Sequence, residues 1–436
     1  MNDKGQKLWD KAKNIIPGGS QLLSKRSEMF LPNQWPSYYK KAKGVNIWDL
    51  DGNKYTDMSI MGIGTCLLGY ANDTVNEAVK KVIDDGNMAT LNSYEEVELA
   101  ESLLRLHPWA GGVRYARTGG EIVTIAIRLA RAYSGKDNIA FCGYHGWHDW
   151  YLSTNLNEGN NLEGHLLPGL LPKGVPKILK NTAFPFSYND LTKLENLIIE
   201  KDIGTIIMEP VRNMEPDPNF INGINKLVAK YNLVLVIDEI TSGWRSNLPG
   251  IYEKIGLKPH MITYAKAMSN GYPMATLIGT SEVMDMAELS FISSAYWTSR
   301  IGPAASLSTI EQLYEYRVPK YLYEKSKYIK DQWQKLSIEN EIDINIGGYL
   351  PIPYFNFNYD QQSLALKTLF NQFMLEKNYL ATNVVYLSYP HTQEIIDKYL
   401  NEFDDVFQKL SKIIGENSIM SHLKGPIVHS GFKRLT

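Results

Sequence analysis

The chain of 436 residues contains little cysteine, no excess of either charge and no long hydrophobic run. Cys66 and Cys142 are its only cysteines, too few for a disulfide framework, so a reducing, cytoplasmic compartment is the expected location. Its 45 Lys and Arg residues are balanced by 47 Asp and Glu residues, which argues against a nucleic-acid partner. No segment approaches the roughly 18 apolar residues of a membrane span, so no membrane partner is expected.

Several common catalytic and metal-binding motifs are also missing. The eight histidines show neither HExxH nor paired Cys/His spacing, so no metal site is expected. The sequence has no GxSxG elbow, no Walker loop and no GxGxxG after a strand pattern, which argues against serine hydrolases and nucleotide-binding enzymes. The composition of the whole chain, with 44% hydrophobic and 21% charged residues, is typical of a globular protein, and its length predicts two or three domains.

Short apolar runs alternate with amphipathic, helix-length segments between about residues 74 and 280. This pattern predicts an α/β fold with a mostly parallel sheet covered by helices. Before it, the sequence indicates a helix and a small hairpin; after it come a long helical pattern over 302–335, a strand at Tyr349–Phe357 and a helix over 393–414. The predicted strands of the sheet are Gly112–Ala116, Asn138–Cys142, Ile203–Met208, Leu233–Ile237, Met261–Ala265 and Met274–Gly279.

Most of these strands end in polar or glycine-rich residues. In an open α/β sheet, a ligand binds outside the carboxyl ends of the strands, so we expect these residues to converge on one crevice. They are Thr118-Gly119-Gly120-Glu121, Gly143-Tyr144-His145-Gly146, Glu209, Asp238-Glu239 and Lys266.

Two charged residues at strand ends are candidates for catalysis. In a partly dry cleft, Lys266 can act as a nucleophile or form a Schiff base; the alternative is a solvated surface lysine. Asp238 follows a fully apolar strand, where a carboxylate needs a cationic or hydrogen-bonding partner, such as a pyridinium nitrogen. A helix N-cap is the other interpretation of Asp238.

The remaining strand-end residues are suited to hold a phosphorylated ring. Thr118, Gly119 and Gly120 open a helix pattern, and a helix N-terminus readily binds a phosphate. Tyr144 offers a ring for stacking and His145 a donor beside it, with loop packing as the alternative. A phosphate site, a stacking ring, an acid for a pyridinium and a lysine for an aldehyde are together what pyridoxal phosphate requires.

With these residues in place, the sequence over about 5–420 resembles the class III aminotransferases of fold type I, most closely the glutamate-1-semialdehyde aminomutase-like branch. The resemblance implies pyridoxal 5′-phosphate as cofactor, a large domain with a mostly parallel seven-stranded sheet, a smaller α+β domain, and a homodimer with a shared active site. Its carriers include Ile16-Pro17-Gly18-Gly19, Asp49-Leu50-Asp51-Gly52-Asn53, Leu68-Gly69-Tyr70, Thr118-Gly119-Gly120-Glu121, Tyr144-His145-Gly146-Trp147-His148-Asp149, Glu209-Pro210-Val211, Asp238-Glu239-Ile240, Gly243-Trp244-Arg245 and Lys266.

The resemblance also implies domain limits and catalytic roles. We expect an N-terminal arm with a small-domain segment over 1–60, the cofactor-binding domain over 61–315 and the C-terminal small domain over 316–436. Lys266 would carry the internal aldimine, and Asp238 would keep the pyridine nitrogen protonated. Further cofactor contacts are expected from Tyr144 and Ile240 on the ring, Thr118, Gly119 and Gly120 on the phosphate, Thr298 of the other subunit, His145, Glu209 and Asn213.

Substrate-binding residues are less well marked in the sequence. Arg26 resembles the arginine that the semialdehyde branch uses for a substrate carboxylate, and Trp147 flanks the expected site; a surface arginine and a packing tryptophan are the alternatives. The Glu-Pro-Val motif is one residue shorter than in the family and brings in Arg212. Neither Arg212 nor Arg300 has a family counterpart that we can identify.

The sequence therefore predicts an enzyme that moves an amino group between an amino donor and a keto or aldehyde acceptor, both small molecules. A sugar and a small oxo acid are the candidate acceptors. Three alternatives use the same residues: an intramolecular aminomutase of the glutamate-1-semialdehyde type, a racemase or decarboxylase, and a cofactor-binding protein without catalysis.

Overall fold

The structure is a computed structural model that describes residues 3–157, 161–165, 168–212 and 215–431. The chain divides into two compact units. The central unit spans Asp73–Lys320, and the discontinuous unit combines Met1–Asn72 with Tyr321–Thr436. The domain limits expected from the sequence stay a prediction.

Strands and helices alternate through most of the chain. Within the described ranges, no helix has both the length and the apolar character of a membrane span. The strands are β1 (Tyr39–Lys43), β2 (Asn46–Asp49), β3 (Lys54–Met58), β4 (Gly112–Ala116), β5 (Asn138–Cys142), β6 (Ala183–Pro185), β7 (Ile203–Met208), β8 (Val234–Asp238), β9 (Met261–Tyr264), β10 (Ala275–Gly279), β11 (Ile344–Gly347), β12 (Tyr354–Phe357) and β13 (Tyr379–Ala381). The helices, single turns included, are α1 (Lys4–Ile15), α2 (Met61–Gly64), α3 (Asp73–Asp84), α4 (Tyr94–Leu106), α5 (Gly119–Ser134), α6 (Asp149–Leu152), α7 (Leu191–Glu200), α8 (Pro218–Tyr231), α9 (Ile251–Ile255), α10 (Ser281–Met284), α11 (Ile301–Glu315), α12 (Val318–Glu339), α13 (Ser363–Glu376) and α14 (Gln393–Gly415).

The central unit is built on one sheet, whose described strands are ordered β4-β10-β9-β8-β7-β5-β6. Strands β9, β8, β7, β5 and β6 pair in parallel, and β10 runs antiparallel to both β9 and β4. Every residue of β7 and β8 is buried, as expected for strands covered on both faces. The prediction of an α/β fold with a mostly parallel, seven-stranded sheet is confirmed.

The predicted strands match β4, β5 and β7, differ from β9 and β10 by one residue at one end, and differ from β8 by one residue at both ends. The edge strand β6 is absent from the prediction because three residues, Ala183–Pro185, are too few to give a periodic signal.

Helix α5 packs against this sheet, and its first residue, Gly119, comes three residues after the end of β4. Thr118 caps it: the Thr118 hydroxyl accepts from the amide of Glu121, and the Glu121 carboxylate accepts from the amide of Thr118. Ile122, Ala126 and Leu129 are fully buried in the core between helix and sheet. The cap and this apolar face together fix the position of the helix N-terminus.

The discontinuous unit has smaller sheets and a core of aromatic rings. Its described sheets are β1-β2-β3-β13 and the β11-β12 pair. The predicted strand over Tyr349–Phe357 is shortened to β12 because Pro351 and Pro353 cannot donate to a strand ladder. The predicted helix over 302–335 is two helices, α11 and α12, since Arg317 adopts a left-handed φ of 49° between them. Helices α13 and α14 and strand β12 share the phenylalanine cluster, defined as Phe355, Phe357, Phe370, Phe403 and Phe407.

Candidate active site

The chemistry-bearing residues of the central unit lie where four neighbouring parallel strands end. We call this region the carboxyl edge; it comprises the residues that follow β5 (143–149), β7 (209–212), β8 (239–245) and β9 (265–269), together with the last residue of β8, Asp238. In the register of β8 and β9, Asp238 lies opposite Thr263, three residues before Lys266. Because all four strands run in the same direction, their ends meet on one side of the sheet.

Lys266 is held in an unusual backbone conformation beside a hydroxyl group. Its φ is 45°, in the left-handed region that non-glycine residues rarely adopt, and it opens a 3-10 turn over Lys266–Ser269. Its Nζ donates to Thr241 Oγ1 at 2.8 Å. Burial lowers the pKa of Lys266 to about 8, although the negative charge of Glu209 opposes that shift. A far larger fraction of this amine is therefore neutral near pH 8 than for an ordinary lysine.

Asp238 is a buried carboxylate with several donors around it. Its side chain is 3% exposed. Oδ2 lies 2.8 Å from His145 Nδ1, and Oδ1 accepts from the amide of Ile240 at 3.0 Å. The other ring nitrogen of His145 lies 3.2 Å from the carbonyl oxygen of Cys142. His145, expected as a donor beside Tyr144, thus lies against Asp238 and holds that carboxylate in place.

Glu209 connects the ends of β5 and β7. Its Oε2 accepts from the Tyr144 amide at 2.9 Å and from Arg212 Nη1 at 2.6 Å. Gly143 must be glycine here, because its φ is 114° and a Cβ would lie 2.5 Å from Glu209 Oε2. Burial alone would lower the pKa of Arg212, but the charge of Glu209 and its hydrogen bond outweigh burial and raise it. The Arg212 guanidinium therefore stays charged at neutral pH.

The start of α5 presents two bare backbone amides. The Thr118 hydroxyl accepts from Glu121 and the Thr118 carbonyl from Ile122, so within the described chain the amides of Gly119 and Gly120 meet no acceptor. A Cβ on Gly119 would lie 3.1 Å from the Ile240 side chain. The absence of side chains at these two positions keeps the amides accessible, as an anion-binding helix N-terminus requires.

The remaining predicted site residues are Thr298, Trp147, Arg26 and Asn213. Thr298 is exposed, and its hydroxyl donates to the Ala295 carbonyl at 2.8 Å. Trp147 is 70% exposed, and a Cβ on Gly120 would lie 3.7 Å from its indole nitrogen. Arg26 is a buried residue of the discontinuous unit. Asn213 lies outside the described residues.

Sequence reasoning missed Thr241 and Arg117, and it named Glu239 as a strand-end residue without giving it a role. Thr241 is the hydrogen-bond partner of Lys266, and Arg117 donates to the carbonyls on either side of Thr298, both at 2.7 Å. Glu239 is buried, accepts from the Tyr252 amide at 2.8 Å, and has a pKa raised by burial to about 7. Glu239 follows Asp238 directly and Thr241 comes three residues after it. A polar residue just after a strand end is the signal that could have identified Thr241.

Arg300, for which we identify no counterpart in the family, forms an ion pair with Glu95, a residue outside the carboxyl edge. Its Nη2 lies 2.6 Å from Glu95, and its Nε is also within hydrogen-bond distance of that carboxylate. For metals, the described ranges contain no group of three or more potential ligands that could hold an ion.

The residues of the carboxyl edge fit pyridoxal phosphate. A half-buried amine on Lys266, a buried carboxylate on Asp238 and two unused helix amides are the groups needed for an aldehyde, a protonated ring nitrogen and a phosphate. Tyr144 and Ile240 both pack against the same core cluster and supply an aromatic and an aliphatic surface for a ring. The hydrogen-bonding and charged groups of these residues are therefore those that this cofactor needs.

Comparisons with known proteins agree with this chemistry. The family model "Aminotransferase class-III" matches residues 31–348. The chain is 30% identical over 405 residues to 3-aminobutyryl-CoA aminotransferase of Cloacimonas acidaminovorans, with 90% of this chain and 93% of the relative covered. It is also 30% identical over 434 residues to glutamate-1-semialdehyde 2,1-aminomutase of Fusobacterium nucleatum, with 94% and 98% covered.

The fold is shared with solved structures. The FumI protein of Sphingopyxis sp. MTA144, solved in its PLP internal aldimine form, superposes with a TM-score of 0.85 at 22% identity, covering 95% of this chain and 98% of that one. The match of the family model over most of the sequence, with relatives at 30% identity along nearly the whole chain, decides the assignment. The chain belongs to the class III aminotransferases, a family of pyridoxal-phosphate-dependent enzymes.

Proposed function

We propose that this protein is a transaminase that moves an amino group between two separate small molecules, with Lys266 as the Schiff-base lysine. The observation that carries the proposal is the placement of Asp238 and Lys266 at the ends of the adjacent parallel strands β8 and β9. Lys266 is half-buried with a lowered pKa, and Asp238 is buried and held by His145. When bound, the cofactor supplies an electron-withdrawing ring that stabilises negative charge on the substrate carbon.

Each polar residue has a distinct task in this proposal. Lys266 would hold the cofactor through its aldehyde, and its Nζ would serve as the base for the proton on the carbon that carries the amino group. A pKa of about 8 suits this role, because about a fifth of the amine is then neutral near physiological pH. Asp238, supported by His145, holds a proton at the ring nitrogen.

The remaining residues bind and orient. The amides of Gly119 and Gly120, with the Thr118 hydroxyl, hold the phosphate. Tyr144 and Ile240 cover the two ring faces. The family pattern assigns Glu209 and Asn213 to the cofactor's phenolic oxygen. Arg26 and Trp147 would contact the substrate, for which a keto sugar or a small oxo acid is the proposed acceptor.

An intramolecular aminomutase is the second candidate function. The relatives at 30% identity include one named as an aminotransferase and one named as an aminomutase, so both reactions have support. The two reactions differ in whether the aminated intermediate leaves the site. An aminomutase isomerises a single substrate, whereas a transaminase needs a second carbonyl compound.

We propose that the active protein is a homodimer in which Thr298 of the partner subunit completes the phosphate site. Large apolar side chains are exposed near Thr298 and elsewhere on the central unit: Leu91 (84%), Leu289 (81%), Phe291 (88%) and Tyr296 (74%). Such a concentration of exposed apolar area is typical of a surface that another protein covers. Sedimentation velocity tests the dimer, and a strictly monomeric active enzyme would refute it.

We also propose a cytoplasmic location. Cys66 and Cys142 are both free thiols, and Cys142 is buried, which suits a reducing compartment.

The experiment that tests the function is an absorption spectrum of the purified protein with pyridoxal phosphate, followed by a panel of amino donors. We expect a visible band that one donor bleaches and that a carbonyl acceptor restores. The Lys266→Ala variant should lack the band. Lys367→Ala is the matched control, because burial also lowers the pKa of Lys367, a residue of the other unit.

Other outcomes select among the alternatives. Isomerisation of one substrate without any acceptor would favour the aminomutase. Exchange of solvent deuterium without a keto product, or release of carbon dioxide, would favour racemisation or decarboxylation. A band that no substrate changes would leave a binding protein, and no band at all would refute the proposed function.

A further inference from the structure

Arg212 has donor groups that its ion pair does not use. Nη1 lies 2.6 Å from Glu209 Oε2, and this is the single hydrogen bond of the guanidinium among the residues the structure describes. The Arg212 side chain remains 31% exposed, whereas the Glu209 side chain is 6% exposed. A guanidinium carries five N–H donors arranged to bind a carboxylate through two of them at once. Arg212 can therefore bind a second anion while it keeps its bond to Glu209.

The position of this guanidinium is fixed relative to the proposed site. Glu209 Oε2 accepts both from Arg212 and from the amide of Tyr144, so the guanidinium and that amide lie against the same oxygen atom. Tyr144 is the residue proposed to cover the cofactor ring. An anion bound by Arg212 would thus lie close to the ring and to the reacting end of a substrate.

The other arginines of the central unit are already occupied or lie elsewhere. Arg245 is fully buried and donates to the Thr241 carbonyl at 2.9 Å. Arg300 is paired with Glu95, and Arg105 is exposed on helix α4. Arg317 is exposed between α11 and α12. The remaining arginines donate to backbone carbonyls, namely Arg114 to Ile292, Arg117 to Ala116, Trp297 and Ser299, Arg128 to Phe291 and Arg131 to Asp137.

We propose that Arg212 is a specificity-determining residue that binds a carboxylate group of the substrate, and that Glu209 competes with this carboxylate for the guanidinium. The inference rests on the proposed amine transfer and names its substrate class as carboxylic acids. An acid substrate gains a charge-assisted, two-point contact, whereas a neutral amine or aldehyde gains nothing from Arg212. The internal carboxylate of Glu209 keeps the positive charge balanced when no substrate is bound.

The test uses the cofactor-loaded protein and a pair of probes that differ only in charge. Propionate and propionamide have nearly the same shape, and their binding is measured by calorimetry. Pyruvate and propanal serve as a charged and a neutral acceptor for kcat and KM, and each variant is compared with the wild type on the same acceptor. The variants are Arg212→Met, Arg212→Lys and Glu209→Gln, with Arg105→Met as the control for loss of an arginine charge.

We expect opposite effects from the two partners of the ion pair. Arg212→Met should weaken propionate binding and raise the KM for pyruvate by about 10- to 100-fold, with propionamide and propanal unaffected. Arg212→Lys should lose part of that affinity because a lysine keeps the charge without the planar fork. Glu209→Gln should strengthen propionate binding, since it removes the competing charge, and Arg105→Met should behave as the wild type.

Three results would overturn the inference. Unchanged propionate affinity in Arg212→Met would do so. A similar loss in Arg212→Met and Glu209→Gln for both probes would reduce the pair to a structural contact. A shift of the visible band in Arg212→Met without any probe would assign Arg212 to the cofactor instead.

Failure of the proposed function has a different signature. Amine transfer that treats pyruvate and propanal alike refutes the role of Arg212 and leaves the transaminase intact. A wild-type protein without a visible band refutes the transaminase, and in that case propionate binding to the unloaded protein and to Arg212→Met still decides whether Arg212 binds carboxylates.

Discussion

The carboxyl edge of the central unit and the phenylalanine cluster of the discontinuous unit are both buried, but they bury opposite kinds of group. The cluster packs five rings with centroids as close as 4.1 Å, and Phe355, Phe370, Phe403 and Phe407 are fully buried. The carboxyl edge instead removes charged groups from water, among them Asp238 and Arg245 at 2% and 1% exposure.

This difference shows how burial serves stability in one place and chemistry in the other. Transfer of an aromatic ring from water into the core stabilises the folded state without any further partner. Charged groups lose solvation and need partners, which is why Asp238 is held by His145 and Glu209 by Arg212. Where the pairing is incomplete, as at Lys266, burial shifts the pKa and produces a reactive group.

Removing a ring from the cluster should have the largest effect, and it should fall on stability alone. We expect Phe403→Ala to lower the free energy of unfolding by about 3–5 kcal/mol, because it leaves a cavity among Trp333, Phe370 and Phe407. Denaturant unfolding measures this loss, with Tyr39→Ala as the control at a 65% exposed aromatic. A loss of the visible cofactor band in the folded variant would contradict the separation of roles.

Removing a charge from the carboxyl edge should instead lower the reaction rate. Asp238→Asn keeps the shape of the side chain but cannot hold a proton at the ring nitrogen, so we expect kcat to fall by about 100- to 1,000-fold. Steady-state kinetics of amine transfer measure this loss, with Asp202→Asn as the control at an exposed carboxylate. Unchanged kcat in Asp238→Asn would show that this carboxylate has a purely structural role.

The lowered pKa of Lys266 sets the pH dependence of cofactor capture. Burial disfavours the charged ammonium, so the neutral amine should become the major form above about pH 8. The rate at which the unloaded protein forms the visible band should rise about tenfold per pH unit below pH 8 and level off above it. At pH 8 this is roughly a 100-fold gain over an ordinary lysine. A rate that still climbs steeply at pH 10 would refute the shift.

The smallest effect is expected at the start of α5. Thr118→Ala removes the hydroxyl that caps the helix, and we expect a loss of about 1 kcal/mol in stability together with weaker cofactor binding. Thr118→Ser keeps the hydroxyl and should restore both properties. Thermal unfolding and cofactor titration are the measurements, and weaker cofactor binding in Thr118→Ser as well would shift the role to the Thr118 methyl group.

The sequence was sufficient to predict the sheet but not all of the contacts at its edge. Fully apolar runs such as Leu233–Ile237 identify buried parallel strands, and the residue after each run identifies the edge. The hydrogen bonds of Lys266 to Thr241 and of His145 to Asp238 join residues 25 and 93 positions apart, and no local pattern encodes them. The position of Arg212 depends on its ion pair with Glu209. The shortened motif in the sequence indicates an added charge at this position but does not indicate its partner.

The central claim, that Lys266 is the residue that binds the cofactor, can be tested by reduction and peptide mapping. Borohydride treatment of the cofactor-loaded protein fixes the cofactor to the lysine that holds it, and mass spectrometry of a digest locates the modified residue. The account predicts modification of Lys266, in the peptide that follows strand β9. Modification at Lys367 or another lysine, or no modification of a protein that shows the visible band, would contradict it.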